Sequence, residues 1–196
     1  FESAMAKGRN LQMFGRIKGE AVRATRQLAT ERGECPDGEG YGVRNAHLLA
    51  IAPNASSSII CGNTSPSIEP YRANAFTQKT KSGSSLLKNE YLEDTLQDLG
   101  YDTDDVWKSI LTNGGSVQHL EFLDQWTKDV FKTAVEIDQR WVIEMAGDRQ
   151  EFICQSQSLN VFFPANISKQ ELHAVHMMAW KRGVKTLYYL RSEAMK

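Results

Sequence analysis

An α/β fold is predicted by three short runs of β-forming residues, by the long helical stretches that separate them, and by an amphipathic first segment. The runs are His47–Ala52, stopped by Pro53; Ser158–Phe163, stopped by Pro164; and Val184–Arg191. Each has the length of a strand and is rich in aliphatic or aromatic side chains. Strands joined by long helical connections point to an α/β barrel or sheet. Three strands do not close a barrel, and their edges would lie exposed, so residues 1–196 read as one incomplete domain of a larger whole.

The first segment is read as a helix from its periodicity. Leu11, Phe14, Ile17, Ala21, Ala24 and Leu28 recur at three- and four-residue steps with charged residues between them, and Gly33 ends the run. Glu34–Gly40 is dense in turn formers. After the strand at 47–52 come a polar turn, Asn54–Ser58, and a short helix around Ile59–Gly62. Residues 63–85 read as loop, and 86–105 as amphipathic in patches, interrupted by Gly100. A wide apolar stripe from Leu120 through Trp126, Val130 and Ile137 to Trp141 predicts one helical block to Ala146, with Gly147-Asp148 as its stop. Ser168 with Glu171 three residues on is a capping box, and the helix it opens runs to Gly183.

Composition excludes several classes. The formal charge is -1, so no basic surface for nucleic acid or acidic lipid is indicated. No apolar stretch approaches the roughly 20 residues needed to span a bilayer. The start, Phe1-Glu2-Ser3-Ala4-Met5, has neither an initiator Met nor a secretory signal core, and reads as a start inside a longer chain. Three widely spaced cysteines, Cys35, Cys61 and Cys154, argue for a reducing compartment such as the cytoplasm. No basic residue adjoins Cys61 or Cys154 in sequence, so thiolate activation is not signalled. His173 and His176 share a helical face, but two ligands make a poor metal site.

Two stretches carry candidate chemistry. Pro53, Asn54, Ala55, Ser56 and Ser57 join a buried strand to a helix start, where main-chain N–H groups, serine hydroxyls and small side chains suit a phosphate. The loop has no Lys and no Walker A spacing. A serine-rich helix cap without a ligand fits the same residues. Tyr188 and Tyr189 lie in the last strand, where neighbours point to opposite faces. They suit packing with a surface hydroxyl, or a redox relay, since a phenol can give up an electron and a proton together.

Combined, the words are more specific than any one of them. Ala52-Pro53-Asn54-Ala55-Ser56-Ser57-Ser58-Ile59 followed by Gly62-Asn63-Thr64-Ser65-Pro66-Ser67-Ile68-Glu69-Pro70, then Ser156-Gln157-Ser158-Leu159-Asn160, then Lys185-Thr186-Leu187-Tyr188-Tyr189, resembles ribonucleotide reductase large subunits, in the same order. The resemblance spans residues 47–190. It implies the C-terminal portion of a ten-stranded α/β barrel and the reduction of ribonucleoside diphosphates to deoxyribonucleoside diphosphates. It implies that residues 53–57 hold the substrate's phosphates and that Tyr188 and Tyr189 relay a radical, which points to class I.

The same resemblance puts the radical-bearing cysteine and the active-site cysteine pair upstream of Phe1, so neither falls on Cys35, Cys61 or Cys154. The chain alone is then expected to be inactive and to bind no cofactor. A radical-generating small subunit supplies a metal-based radical. ATP and deoxynucleotide effectors bind regions outside the chain. Thioredoxin or glutaredoxin is the reductant, and the remainder of the large subunit is a partner. A non-catalytic remnant that keeps a nucleotide-phosphate module is the alternative.

Overall fold

The computed structural model describes residues 1–62, 64–81 and 83–192. Asn63 of the motif at 62–70 lies outside the described residues. The elements run α1 (Ala4–Arg32), a 3-10 turn at Pro36–Gly38, α2 (Ser57–Ile60), β1 (Ala75–Thr80), β2 (Gly83–Lys88), α3 (Glu90–Asp98), α4 (Asp104–Thr112), α5 (Gln125–Val130), α6 (Gln139–Gln150), β3 (Val161–Phe163), α7 (Lys169–Lys181) and β4 (Leu190–Ser192). They gather into two compact units, Phe1–Ala52 with the chain from Gln139 onward, and Pro53–Asp138.

In the first unit, α1 begins at Ser3, whose hydroxyl accepts from the Ala6 N–H, and ends at Gly33, as its periodicity predicts. Phe14, Thr25 and Ala29 form its buried side. That side packs on α6, where the Asn10 amide donates to the Met145 carbonyl at 2.9 Å and Lys7 pairs with Glu144. Helix α6 is buried around most of its circumference: Val142, Ile143, Met145, Ala146, Arg149 and Gln150 all lie inside. Each fully buried aliphatic here contributes about 1.5–3 kcal/mol. Helix α7 opens on the expected cap: Ser168 Oγ accepts from the Glu171 N–H at 3.1 Å, while the Glu171 carboxylate accepts from the Ser168 hydroxyl rather than reaching its main-chain N–H.

Of the expected strands, the run 158–163 is present as the shorter β3, whereas β4 keeps only Leu190 and Arg191 of the run 184–191 and adds Ser192, so Tyr188 and Tyr189 precede the strand rather than lie in it. β3 and β4 pair in parallel, with Val161 opposite Leu190. The run 47–52 contributes a single parallel bridge, Ile51 to Gln157, through Ile51 N–H to Ser156 O and Ser158 N–H to Ile51 O. It does not extend as a strand to His47, because the Leu48 and Leu49 N–H groups turn to the Cys154 sulfur at 3.1 and 3.2 Å. All three runs therefore meet on the segment 155–163, in the parallel sense of an α/β fold.

The second unit departs further from expectation. Residues 75–80 and 83–88, expected as loop passing into a segment amphipathic in patches, pair as the antiparallel strands β1 and β2. The second strand is exposed or only partly covered, so no two-residue alternation marks it. Asn74 anchors the pair: its side-chain N–H groups donate to Gly115 O and Phe131 O, and its Oδ1 accepts from Asn89. A Cβ on Gly115 would meet Ala73 Cβ at 2.4 Å, so only glycine fits where these loops touch. The core is Ala75, Leu92, Leu96, Trp107, Ile110, Val117, Leu120, Leu123 and Phe131.

The helical block expected over 120–146 is two helices, α5 and α6, each serving a different unit. Between them Glu136 accepts from Ser116 Oγ and from the N–H and hydroxyl of Thr133, bonds that a continuous helix would not allow. Trp126, counted in the apolar stripe, is 74% exposed.

Gly147 is not the stop that the sequence suggests, since α6 continues to Gln150. The residue serves close packing instead: a Cβ there would stand 2.8 Å from Arg182 Cβ, beyond the end of α7. Gly147→Ala is expected to destabilise the protein by about 1–3 kcal/mol through overpacking, although alanine is the better helix former by about 1 kcal/mol. Urea melts read by circular dichroism check the sign.

Candidate functional site

The turn after the Ile51 bridge is built for an exposed main chain. Asn54 adopts φ 51°, a left-handed conformation in which Asn is among the few tolerated residues. This bends the chain so that Ser58 N–H returns to Asn54 O at 3.0 Å and opens α2. Ser58 is buried, whereas Pro53, Asn54, Ala55, Ser56 and Ser57 are all exposed. Among the described residues, the N–H groups of Asn54, Ala55, Ser56 and Ser57 and the hydroxyls of Ser56 and Ser57 have no protein acceptor. The five residues singled out from the sequence are thus one continuous exposed turn with donors available.

Tyr188 and Tyr189 do not take the opposite faces that a regular strand would give them. Their ring centroids lie 4.2 Å apart, tilted by 51°. The reason is in the hydrogen bonds. Tyr188 N–H donates to Leu159 O at 2.8 Å, and Val161 N–H donates to Tyr189 O at 3.0 Å. A regular parallel ladder would use the N–H and C=O of one residue for these two bonds. Here two residues face one, which is a β-bulge, and the extra N–H, that of Tyr189, donates to Asn160 Oδ1 at 2.9 Å. Both rings are about half exposed. The Tyr188 hydroxyl is held above the usual phenol range, first by its hydrogen bond to Tyr189, with Arg191 opposing. Arg191 also lies over the Tyr189 ring, 5.0 Å from its centroid. The loop belongs to one unit and the tyrosine pair to the other.

The sequence alone indicates no role for the residues that hold this segment. Gln157, 1% exposed, accepts from Arg149 Nε at 2.7 Å and donates to Ala146 O and Gln150 Oε1. Its carbonyl accepts from Thr186 Oγ1 at 3.1 Å. A signal is present, since Gln157 and Asn160 both stand in the word Ser156–Asn160, but polar residues beside a strand do not announce burial.

Cys154 also differs from expectation. Burial pushes its thiol up, but the Leu49 and Leu48 amides and the charge of Lys18 outweigh this and leave it below its ordinary value. Those groups come from distant sequence, so the residues beside Cys154 give no hint of them. His176 Nδ1 lies 2.7 Å from Leu172 O, and among the described residues no group of three candidate ligands gathers around a metal position. Nor is any described helix long and apolar enough to cross a membrane.

Comparison with known proteins gives these features their setting. Residues 36–190 match the family described as ribonucleotide reductase, barrel domain. The chain is 54% identical over 180 residues to a putative ribonucleoside-diphosphate reductase large subunit of Frog virus 3, covering 92% of the chain and 32% of that protein. It is 51% identical to the large subunit of Invertebrate iridescent virus 6, covering 98% of the chain and 20% of that protein. Among solved structures it resembles the class Id ribonucleotide reductase alpha subunit of Actinobacillus ureae, with a TM-score of 0.90 at 39% identity, over 98% of the chain and 35% of that subunit. The chain belongs to the ribonucleotide reductase barrel-domain family, and its α/β fold is a portion of that barrel. It spans about a third or less of the length of these relatives.

Gln157→Leu tests the support beneath the tyrosine segment. It removes the acceptor of a buried guanidinium, and a bond to a charged group contributes about 1.5–3 kcal/mol. A loss of about 2–3 kcal/mol in chemical denaturation is expected; a change within a few tenths would show that Arg149 is satisfied elsewhere.

Proposed function

We propose that the chain works as part of the large subunit of a class I ribonucleoside-diphosphate reductase, contributing the substrate-phosphate turn and the radical-transfer tyrosine pair. The observation that carries this reading is the family match over residues 36–190, which takes in both features. The likeness to a class Id alpha subunit supports the class.

The turn's part is to bind and orient. The available N–H groups of residues 54–57 and the hydroxyls of Ser56 and Ser57 donate to the diphosphate oxygens of a ribonucleoside diphosphate. No lysine is needed, because several aligned main-chain donors favour an anion. The tyrosines' part is to pass oxidising equivalents. Each phenol gives up an electron and a proton to the side from which the radical arrives, then regains both from the next group toward the substrate. Rings 4.2 Å apart keep that exchange within van der Waals contact.

The chain holds no cofactor in this reading. A small subunit supplies the metal-based radical, ATP and deoxynucleotide effectors bind other parts of the large subunit, and thioredoxin or glutaredoxin returns the reducing electrons. The reaction runs in the cytoplasm, and the chain turns over no substrate until it is joined by the large-subunit residues that carry the reactive cysteine.

Three outcomes are expected. With the remainder of a large subunit and a small subunit present, ribonucleoside diphosphate is reduced; with either omitted, it is not. Tyr188→Phe and Tyr189→Phe each abolish turnover while melting temperature and diphosphate binding hold, since Phe keeps the ring and loses only the O–H; normal turnover in either variant would reduce the pair to packing. Replacing Ser56 and Ser57 by Ala raises KM for the diphosphate roughly tenfold or more, from bonds to a charged group at about 1.5–3 kcal/mol each; an unchanged KM would leave these hydroxyls with no part in substrate binding.

A further inference from the structure

A tyrosine pair adjacent in sequence does not bring its rings together of its own accord. In regular extended backbone the two rings point to opposite faces, and a shift of one residue in pairing reverses the face of every side chain that follows. The bulge at 188–189 removes that alternation by inserting one residue between the Leu159 and Val161 bonds. It leaves one surplus donor, the Tyr189 N–H, and Asn160 takes it at 2.9 Å. Asn160 is 9% exposed, so its carboxamide is fixed among neighbours rather than sampling solvent. It occupies the single position between the two bonds that define the bulge. Without its Oδ1, the competing arrangement is the regular ladder, in which Tyr189 N–H takes Leu159 O and the rings part.

We propose that Asn160 is a positioning residue for radical transfer: its side-chain oxygen holds the main chain at Tyr189 in a bulge and so keeps the rings of Tyr188 and Tyr189 on one side and in contact. The role rests on reading the pair as a relay, but the geometric part of it can be tested apart from that reading. Other groups tie down the same segment from its N-terminal side, where Thr186 Oγ1 donates to Gln157 O and Lys185 N–H reaches Gln150 Oε1 at 3.4 Å. They fix where the segment lies; Asn160 acts at the tyrosines themselves.

The test uses Asn160→Ala, which removes the acceptor, and Asn160→Asp, which keeps an oxygen at the same position. The first readout is the nuclear Overhauser effect between the two tyrosine rings, assigned with Tyr188→Phe, in chain shown by circular dichroism to be folded. The effect is expected to vanish in Asn160→Ala and to persist in Asn160→Asp. The second readout is turnover by the reductase assembled with the rest of a large subunit and a small subunit. In Asn160→Ala, kcat is expected to fall by at least tenfold with KM for the diphosphate unchanged, and Asn160→Asp is expected to recover most of it. Rings that stay together in folded Asn160→Ala overturn the positioning role. Rings that separate while kcat stays intact overturn the relay reading and the proposal with it. Should Asn160→Ala not fold, Asn160→Leu, which fills the volume without an acceptor, gives the same comparison against Asn160→Asp.

Discussion

A guanidinium buried among helices governs the unit that carries the tyrosines. Arg149 is 1% exposed, and a charge in that position is tolerated only with well-aimed partners. Gln157 provides one, and its own two N–H groups go to Ala146 O and Gln150 Oε1. The residue that accepts from this guanidinium is also where the parallel bridge from Ile51 arrives and where Thr186 is tied. One side chain therefore sets the height of the segment onto which the other extended runs are laid. The runs need no long ladders, because their depth in the fold is fixed from α6.

Both candidate sites are irregular backbone, and an asparagine underlies each irregularity. At the turn, Asn54 supplies the left-handed residue that exposes a row of N–H groups. At the tyrosines, Asn160 replaces a main-chain acceptor and makes room for an extra residue. Asparagine suits both tasks for separate reasons: it tolerates positive φ, and its amide imitates a peptide group. Regular strand and helix would hide these donors and separate these rings.

The same irregularity explains what is legible in the sequence. Helices with strong periodicity or caps are readable, α1 to Gly33 and α7 from Ser168; of the three β-forming runs only the middle one holds a strand wholly inside its expected bounds. The residues of the turn and the tyrosine pair are readable too, because short words at fixed spacing survive without knowledge of packing. The pairing of β1 with β2 is not, since a strand left exposed along most of its length carries no alternation. Nor is the break between α5 and α6: one apolar stripe serves two cores, and composition cannot say that the chain changes units at Asp138. The contact between the tyrosine rings is hidden too, because the alternation rule presumes a regular ladder and a side chain has replaced one of its bonds. Cys154 escapes notice for a related reason, its thiol being tuned by Lys18 and the amides of Leu48 and Leu49.

The order in which the chain can assemble follows from its division into units. Residues 53–138 are continuous, and their β1–β2 pairing and short helices join residues near one another in sequence. The other unit is interrupted by that whole stretch: Lys7 must find Glu144, and Ile51 must find Gln157. Contacts between remote residues carry the entropy of closing a long loop before they return any energy. An inserted unit that has already collapsed shortens that loop, since its two ends are then joined by a compact body rather than a free coil. The stretch 53–138 thus shortens the loop that the interrupted unit has to close.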